Sequence, residues 1–193
     1  MEKFNAQIPI RYGIIAFSAV LTIGIMMWAF YQELISSFLM FTAIGIFSLG
    51  LVLFLGIWSG ITYRRENGGT ISFSHAFMAV FIVFICYCAG NITSLNLINK
   101  VIDKDYATKA SALLKDKMTD RFEKMNMTDD QIKEATQGMT PEAFDPPFAK
   151  QFKSFTIYLA ISAAVAAIIS AFIKRGSSDL IASDLPPDPI RTI

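Results

Sequence analysis

The chain has 193 residues, of which 53% are hydrophobic and only 17% are charged, and its mean hydropathy is +0.46. An average soluble domain carries about 25% charged residues, so this composition excludes an ordinary soluble globular protein and a disordered chain. The 17 basic and 16 acidic residues leave a net charge of +1, which provides no global field to recruit nucleic acid. The 2 cysteines are too few for a disulfide framework.

Four stretches nearly free of charge follow one another along the chain, residues 12–31, 34–63, 71–98 and 155–173. About 20 helical residues cross a hydrocarbon core of about 30 Å, and each stretch is long enough or nearly so. None shows the period-2 alternation of barrel strands. We therefore predict an all-α fold, an integral membrane four-helix bundle. The second stretch is longer than a bilayer requires and must tilt, bend or protrude.

Basic residues flank the stretches at three places: before the first, after the second and after the fourth. They are Lys3 and Arg11, Arg64 and Arg65, and Lys174 and Arg175. The positive-inside rule places these ends in the cytoplasm. The first stretch has no A-x-A cleavage pattern after it, so we interpret it as a retained helix rather than a signal peptide. The expected topology has both termini inside.

This topology divides the chain into four parts. Residues 1–98 hold the first three membrane helices, and residues 154–175 hold the fourth. Residues 99–153 carry ten basic and ten acidic residues and form an amphipathic helical segment outside the cytoplasm. Residues 176–193 are a proline-containing cytoplasmic tail, for which docking in a partner as an extended ligand is one alternative.

Small residues recur in two of the predicted membrane helices. Gly56 and Gly60 have a G-x-x-x-G spacing in the second. In the fourth, two rows recur every four positions: Ala163, Ala167 and Ala171, and then Ser162, Ala166 and Ser170. Such rows let helix backbones approach closely in a membrane. They predict contacts within one bundle or, alternatively, a seam with a second copy or a protein partner.

The turn between the second and third stretches is the most distinctive cytoplasmic feature. Its Asn67-Gly68-Gly69 sequence permits positive φ and a tight reversal. Ser72 or Ser74 can cap the helix that follows. Arg64 and Arg65 stand beside that helix start, where backbone N–H groups favour anions. The cluster is interpreted as a turn with topology-setting charges or, alternatively, as a site for an anionic lipid headgroup or phosphate formed by both arginines and both serines.

Residues 103–125 have the periodicity of an amphipathic helix. The apolar stripe consists of Tyr106, Ala110, Leu113, Leu114, Met118, Phe122 and Met125. Thr128 with Gln131 predicts a second, capped helix, and Thr140 before Pro141 predicts a third helix start. A segment of this size cannot bury a core of its own, so its stripe needs a surface. That surface is the membrane headgroup zone, the outer end of the bundle or another protein.

No reactive constellation is found in the sequence. The central parts of the four stretches contain no Asp, Glu, Lys or Arg, which argues against a proton-coupled transporter. The single His75 cannot build a typical zinc site alone, and motifs for nucleotide phosphates, zinc proteases and serine hydrolases are missing. Cys86 and Cys88 do not share a helix face. We predict no catalytic residue, no metal and no cofactor, and therefore a protein that is not an enzyme.

Three sequence segments together resemble a known family. They are Arg11-Tyr12-Gly13, the turn over residues 67–76 with its Gly-Gly pair, and the Met-rich stretch over residues 125–132. The small-residue fourth stretch follows in the same order. The chain resembles the bacterial membrane proteins of domain-of-unknown-function family 4199, found mainly in Bacteroidota, over about residues 8–175. The resemblance implies the inner membrane of a diderm bacterium, and it supplies no activity and no catalytic residues.

Together these features favour a non-enzymatic accessory or scaffold subunit of an inner-membrane envelope complex, with membrane lipid around it and a protein partner or second copy beside it. A lipid- or small-solute-handling protein is the alternative, because of Arg64, Arg65 and the polar end of the third stretch. An enzyme acting on a lipid-linked substrate is a third hypothesis, for which no acid–base pair is visible. Nucleic acid is not expected as a partner.

Overall fold

The computed structural model of this chain describes residues 4–174, apart from the side chain of Phe38. The predicted tail over residues 176–193 and the flanking residues Lys3 and Arg175 lie outside this range. The helices in chain order are α1 (Gln7–Ala29), α2 (Tyr31–Ser36), α3 (Phe38–Glu66), α4 (Phe73–Leu97), a π-helical turn (Ile98–Ile102), α5 (Tyr106–Lys124), α6 (Asp129–Thr136), α7 (Pro141–Phe144) and α8 (Phe148–Lys174). No strand occurs within residues 4–174.

Four helical stretches are long and apolar enough to cross a membrane: Gln7–Ala29, Leu39–Glu66, Phe73–Ile102 and Phe148–Lys174. They confirm the predicted all-α membrane bundle and the helical segment between its third and fourth spans. Helix α4 is central, since it packs against α1, α3 and α8.

The bundle has two unlike ends, which we call the turn end, where the α3–α4 turn lies, and the segment end, where α5–α7 lie. The main core lies toward the turn end. It is formed by the second half of α3, the first half of α4, the start of α1 and the end of α8. Its buried members are Ala16, Val52, Leu55, Ala76, Val80, Val83, Phe84, Ala166 and Ile173. Large outward-facing side chains of the same helices are exposed, as lipid-facing surfaces are.

The second predicted stretch, residues 34–63, is not a single helix. The chain breaks at Ser37, whose backbone is extended, with φ −113° and ψ 91°. The Ser37 hydroxyl accepts the Met40 N–H at 3.5 Å and so caps α3. Helix α2, on the other side of this break, packs against α5, while α3 keeps 29 residues and is still longer than a bilayer requires.

Two further boundaries differ from the predictions. Helix α8 begins at Phe148, well before the apolar stretch at residue 155, because polar contacts hold its first turns. There Gln151 Nε2 donates to the Pro146 carbonyl at 2.8 Å. Helix α5 begins at Tyr106 rather than at Asp103, because the π-helical turn ends in an extended residue at Asp103, with φ −143° and ψ 96°.

Candidate functional site

The turn at the end of α3 has the geometry predicted for it. Gly68 and Gly69 adopt positive φ, 76° and 86°. The Ser72 hydroxyl accepts the His75 N–H at 3.2 Å, which identifies Ser72 as the cap of α4 and confirms one of the two predicted caps. The side chain of Ser74 is exposed.

The two arginines beside this turn have different surroundings. Arg64 is half-buried, with its Nε donating to the Gly69 carbonyl at 2.6 Å and a terminal nitrogen donating to the Ile173 carbonyl at 3.2 Å. It therefore closes the turn and satisfies a carbonyl in the last turn of α8, which the helix leaves without a partner. Arg65 is exposed. The predicted anion site stays a prediction, and Arg65 is its more accessible cation.

An aromatic cluster, which the sequence did not suggest, surrounds His75 at the turn end. Phe4 stacks on Tyr63 with ring centroids 5.1 Å apart, and the His75 ring lies 5.6 Å from Phe4 and 6.2 Å from Tyr63. Tyr63 is 1% exposed, and its hydroxyl accepts the Asn5 N–H at 3.3 Å. His75 therefore takes part in packing that holds the start of the chain against α3 and α4.

No group of three or more His, Cys, Asp or Glu side chains placed to hold a metal ion occurs within residues 4–174. Both cysteines are free thiols. Cys86 lies against Gly13 of α1, where an added Cβ would be 2.7 Å from its Sγ, so this thiol fills the contact between α1 and α4.

The predicted G-x-x-x-G pair lies inside the bundle. A Cβ at Gly56 would lie 3.0 Å from a ring carbon of Phe84, and one at Gly60 would collide with Ile173 and lie 3.2 Å from Val80. These glycines let α3 approach α4 and α8 closely.

The two small-residue rows of α8 are placed differently. Ala166 and Ser170 are both 0% exposed, so their row faces the bundle. In the other row, Ala163 and Ala167 are half-buried and Ala171 is exposed. The row of Ala163, Ala167 and Ala171 thus lies at the edge of the bundle, beside lipid or a further helix.

At the segment end, the polar last turns of α4 make hydrogen bonds to other elements. Asn96 Nδ2 donates to Gln151 Oε1 at 3.0 Å, which joins α4 to α8. Asn99 Nδ2 donates to the Phe144 carbonyl at 3.0 Å, which joins the π-helical turn to α7. Asn99 is 5% exposed. These bonds fix the segment between α4 and α8 on the bundle.

A charged pair and an aromatic contact hold the start of α5. Lys109 Nζ donates to Asp103 at 3.0 Å. Hydrogen bonds from Lys109, from the backbone of Asp105 and from Trp28 hold the pKa of Asp103 below its ordinary value. Burial raises the pKa of Tyr106, whose ring meets Tyr31 edge-on at 5.6 Å.

The predicted apolar stripe of α5 faces the segment end of the bundle, where α5 packs against α2 and α7. Five of its predicted surface residues are half-buried: Tyr106, Leu113, Leu114, Met118 and Phe122. Met125 is 65% exposed and remains available to a membrane surface or a partner.

The packing of α5 on α2 leaves a groove with a volume of about 650 Å3, which we call the interface groove. Its apolar lining comes from α2, the first turn of α3, α5 and the α6–α8 region, and includes Leu34, Phe41, Leu114, Met118, Met139 and Phe144. Its charged lining is Lys117, Asp120, Arg121 and Lys124. Sequence reasoning missed this basic edge, although residues 117, 121 and 124 have the spacing of one helix face.

A second depression, also of about 650 Å3, lies between α5 and α6. Its charged lining is Lys115, Glu123, Asp129, Asp130, Lys133 and Glu134, so acids predominate. The two depressions near α5 therefore have similar volumes and opposite charge.

A family model described as "Protein of unknown function (DUF4199)" matches residues 11–175, which is most of the chain. No curated protein matches the chain, and no solved structure matches it. The match agrees with the motifs identified in the sequence and assigns no activity to any residue.

Proposed function

The chain belongs to the DUF4199 family of proteins of unknown function, and from this premise we propose that it is a non-enzymatic accessory or scaffold subunit of a bacterial inner-membrane envelope complex. The proposal places the turn end in the cytoplasm, because Arg64, Arg65 and Lys174 lie there. It places residues 99–153 in the periplasm of a diderm bacterium, for which the family resemblance to Bacteroidota proteins is the support.

The proposal is carried by one observation, the exposure of the first half of α3. Leu39, Ile46 and Phe47 are 78%, 68% and 64% exposed, and over residues 39–50 only Ile44 and Ser48 are not exposed, so the helix is uncovered on nearly all sides. A Cβ added at Gly45 or Gly50 would meet nothing within 4 Å. Helix association in lipid depends on close packing of surfaces with small residues. This half-helix has such a surface, and within the described residues 4–174 most of it stays uncovered apart from Ser48, whose hydroxyl is hydrogen-bonded with that of Tyr87 at 2.8 Å.

Site-specific photocrosslinking in cells tests the proposal. A photoreactive residue in place of Phe47 should give a discrete protein adduct, because a partner helix would cover that face. Phe172 is the matched control, an aromatic residue of α8 that is 73% exposed and far from the first half of α3. A discrete adduct at 47 and none at 172 supports the proposal. No adduct at either position overturns it, as does a lone monomer in native mass spectrometry from mild detergent.

Lipid or small-solute handling is the second candidate function, and the interface groove favours it. Its apolar and basic lining residues complement a phospholipid, which has apolar acyl chains and an anionic phosphate. Lipid that copurifies specifically, or solute flux in liposomes, would support this function, and loss of both signals to background would exclude it.

A further inference from the structure

We propose that the interface groove binds the headgroup of an anionic phospholipid drawn from the surrounding bilayer. This inference rests on the second candidate function and gives it a ligand class and a site. It differs from the predicted anion cluster at Arg64 and Arg65, which lies at the opposite end of the bundle.

The position of the groove gives access to lipid. Its lining includes Leu34, near the end of α2, and Phe41, in the first turn of α3. Leu39 and Met40 beside it are 78% and 57% exposed. An acyl chain lying along this half of α3 would bring its headgroup to the mouth of the groove.

The charge of the groove selects an anion. Lys117, Arg121 and Lys124 line it, and Asp120 is the one acid among its lining residues. Neither Lys117 nor Lys124 has a described carboxylate within 4.0 Å. A phosphodiester accepts charge-assisted hydrogen bonds from such groups. A basic edge beside a membrane surface strengthens the attraction of anionic lipid.

The apolar lining fits the rest of the headgroup region. Leu114 and Met118 lie on α5 at helical spacing from Lys117 and Arg121, so one helix face supplies both the basic and the apolar contacts. Phe144 adds an aromatic wall. Basic side chains with long apolar stems are suited to this boundary, because the stem lies on apolar surface and the charge reaches the phosphate.

The depression between α5 and α6 shows that volume alone does not define the site. It has a similar volume, but Glu123, Asp129, Asp130 and Glu134 oppose two lysines there. An anionic headgroup would be repelled. Its lysines, Lys115 and Lys133, therefore provide a control pair from the same segment with the same loss of charge.

Native mass spectrometry of the full chain, delipidated in neutral detergent, tests the site with added phosphatidylglycerol and phosphatidylethanolamine. The wild type should bind phosphatidylglycerol in preference. Lys117→Gln with Lys124→Gln should weaken that binding by at least about tenfold. Lys115→Gln with Lys133→Gln should leave it nearly unchanged. Lys117→Arg with Lys124→Arg should retain it, which separates loss of charge from misfolding.

Equal weakening by both glutamine pairs would mean attraction by the whole segment and would overturn the site, as would equal binding of the two lipids. Failure of the groove as a binding site can be distinguished from failure of the second candidate function, lipid or small-solute handling. Without the site, copurified lipid or solute flux can still persist, whereas the second candidate function fails only when both are lost. The crosslinking at Phe47 is independent of both.

Discussion

The two halves of α3 have the same apolar character and opposite surroundings. In the half toward the turn end, Val52, Ser59 and Tyr63 are 4%, 0% and 1% exposed, and Ser59 donates to the Ala79 carbonyl at 2.9 Å. In the other half, Leu39 and Phe47 are 78% and 64% exposed. Hydropathy predicts that the helix spans a membrane. Which half packs within the chain depends on the position of α4 and α8, and the comparison shows that one span can be anchored at one end and open at the other.

Glycine substitutions test this difference with the largest expected effect. Gly60→Leu places a side chain where even a Cβ collides with Ile173. Overpacking of this kind costs about 1–3 kcal/mol, and we expect a clear fall in the thermal unfolding midpoint in detergent. Gly45→Leu is the control on the same helix and should leave stability unchanged or higher, because a Cβ there meets nothing. Equal destabilisation by both would contradict the comparison.

The two arginines at the end of α3 test how firmly the chain is packed at the turn end. Arg64→Gln removes the hydrogen bonds to the Gly69 and Ile173 carbonyls, and we expect a loss of about 1 kcal/mol in unfolding free energy. Arg65→Gln removes an exposed charge and should change stability little.

The same pair tests the predicted anion site. If that site exists, Arg65→Gln should reduce copurified anionic lipid, measured by mass spectrometry of extracted lipid. An unchanged amount of copurified anionic lipid in Arg65→Gln, and in a variant that combines Arg64→Gln with Arg65→Gln, would contradict that prediction.

The smallest effect is expected at the segment end, where Asp103 pairs with Lys109. Because the pKa of Asp103 is lowered in the folded state, its contribution to stability is complete above its ordinary pKa and is lost as the pH falls through the lowered value. Asp103→Asn should therefore be less stable than wild type at about pH 6, and the gap should close toward about pH 3.

Unfolding midpoints across this pH range are the measurement. Lys109→Gln removes only the hydrogen bonds that Lys109 donates, so it should give a smaller gap with the same pH dependence, because the Asp105 N–H still donates to the Asp103 carboxylate at 3.1 Å. A gap between wild type and Asp103→Asn that stays constant with pH would show that the carboxylate does not cause it.

Local signals predicted much of the fold. The four apolar stretches, the Gly68-Gly69 turn and the Ser72 cap are each encoded in one continuous piece of sequence and are confirmed. So is the capping box of α6, where Gln131 Oε1 accepts the Thr128 N–H at 3.0 Å.

Features that depend on distant parts of the chain were not predicted. The break at Ser37 is an exception, because it has a local signal that the prediction did not use: the Ser36-Ser37 pair, since serine is a preferred helix cap. The interface groove needs α2 and α5, which meet only in the folded chain. The apolar stripe of α5 can be identified from the sequence. That the basic residues between its members line a groove depends on Leu34 and Phe41, which line the same groove from distant parts of the chain.

The π-helical turn at Ile98–Ile102 ends the third of the four long apolar stretches. Its wider ring is closed by the Asp103 N–H, which donates to the Ile98 carbonyl at 2.9 Å. Each residue of an α-helix turns the chain by about 100°, so an insertion or deletion inside α4 would rotate the helical residues that follow it. Asp103 is extended and α5 begins only at Tyr106, so this rotation is not passed on to α5, and the face that α5 turns toward the bundle depends on its own contacts with α2 and α7.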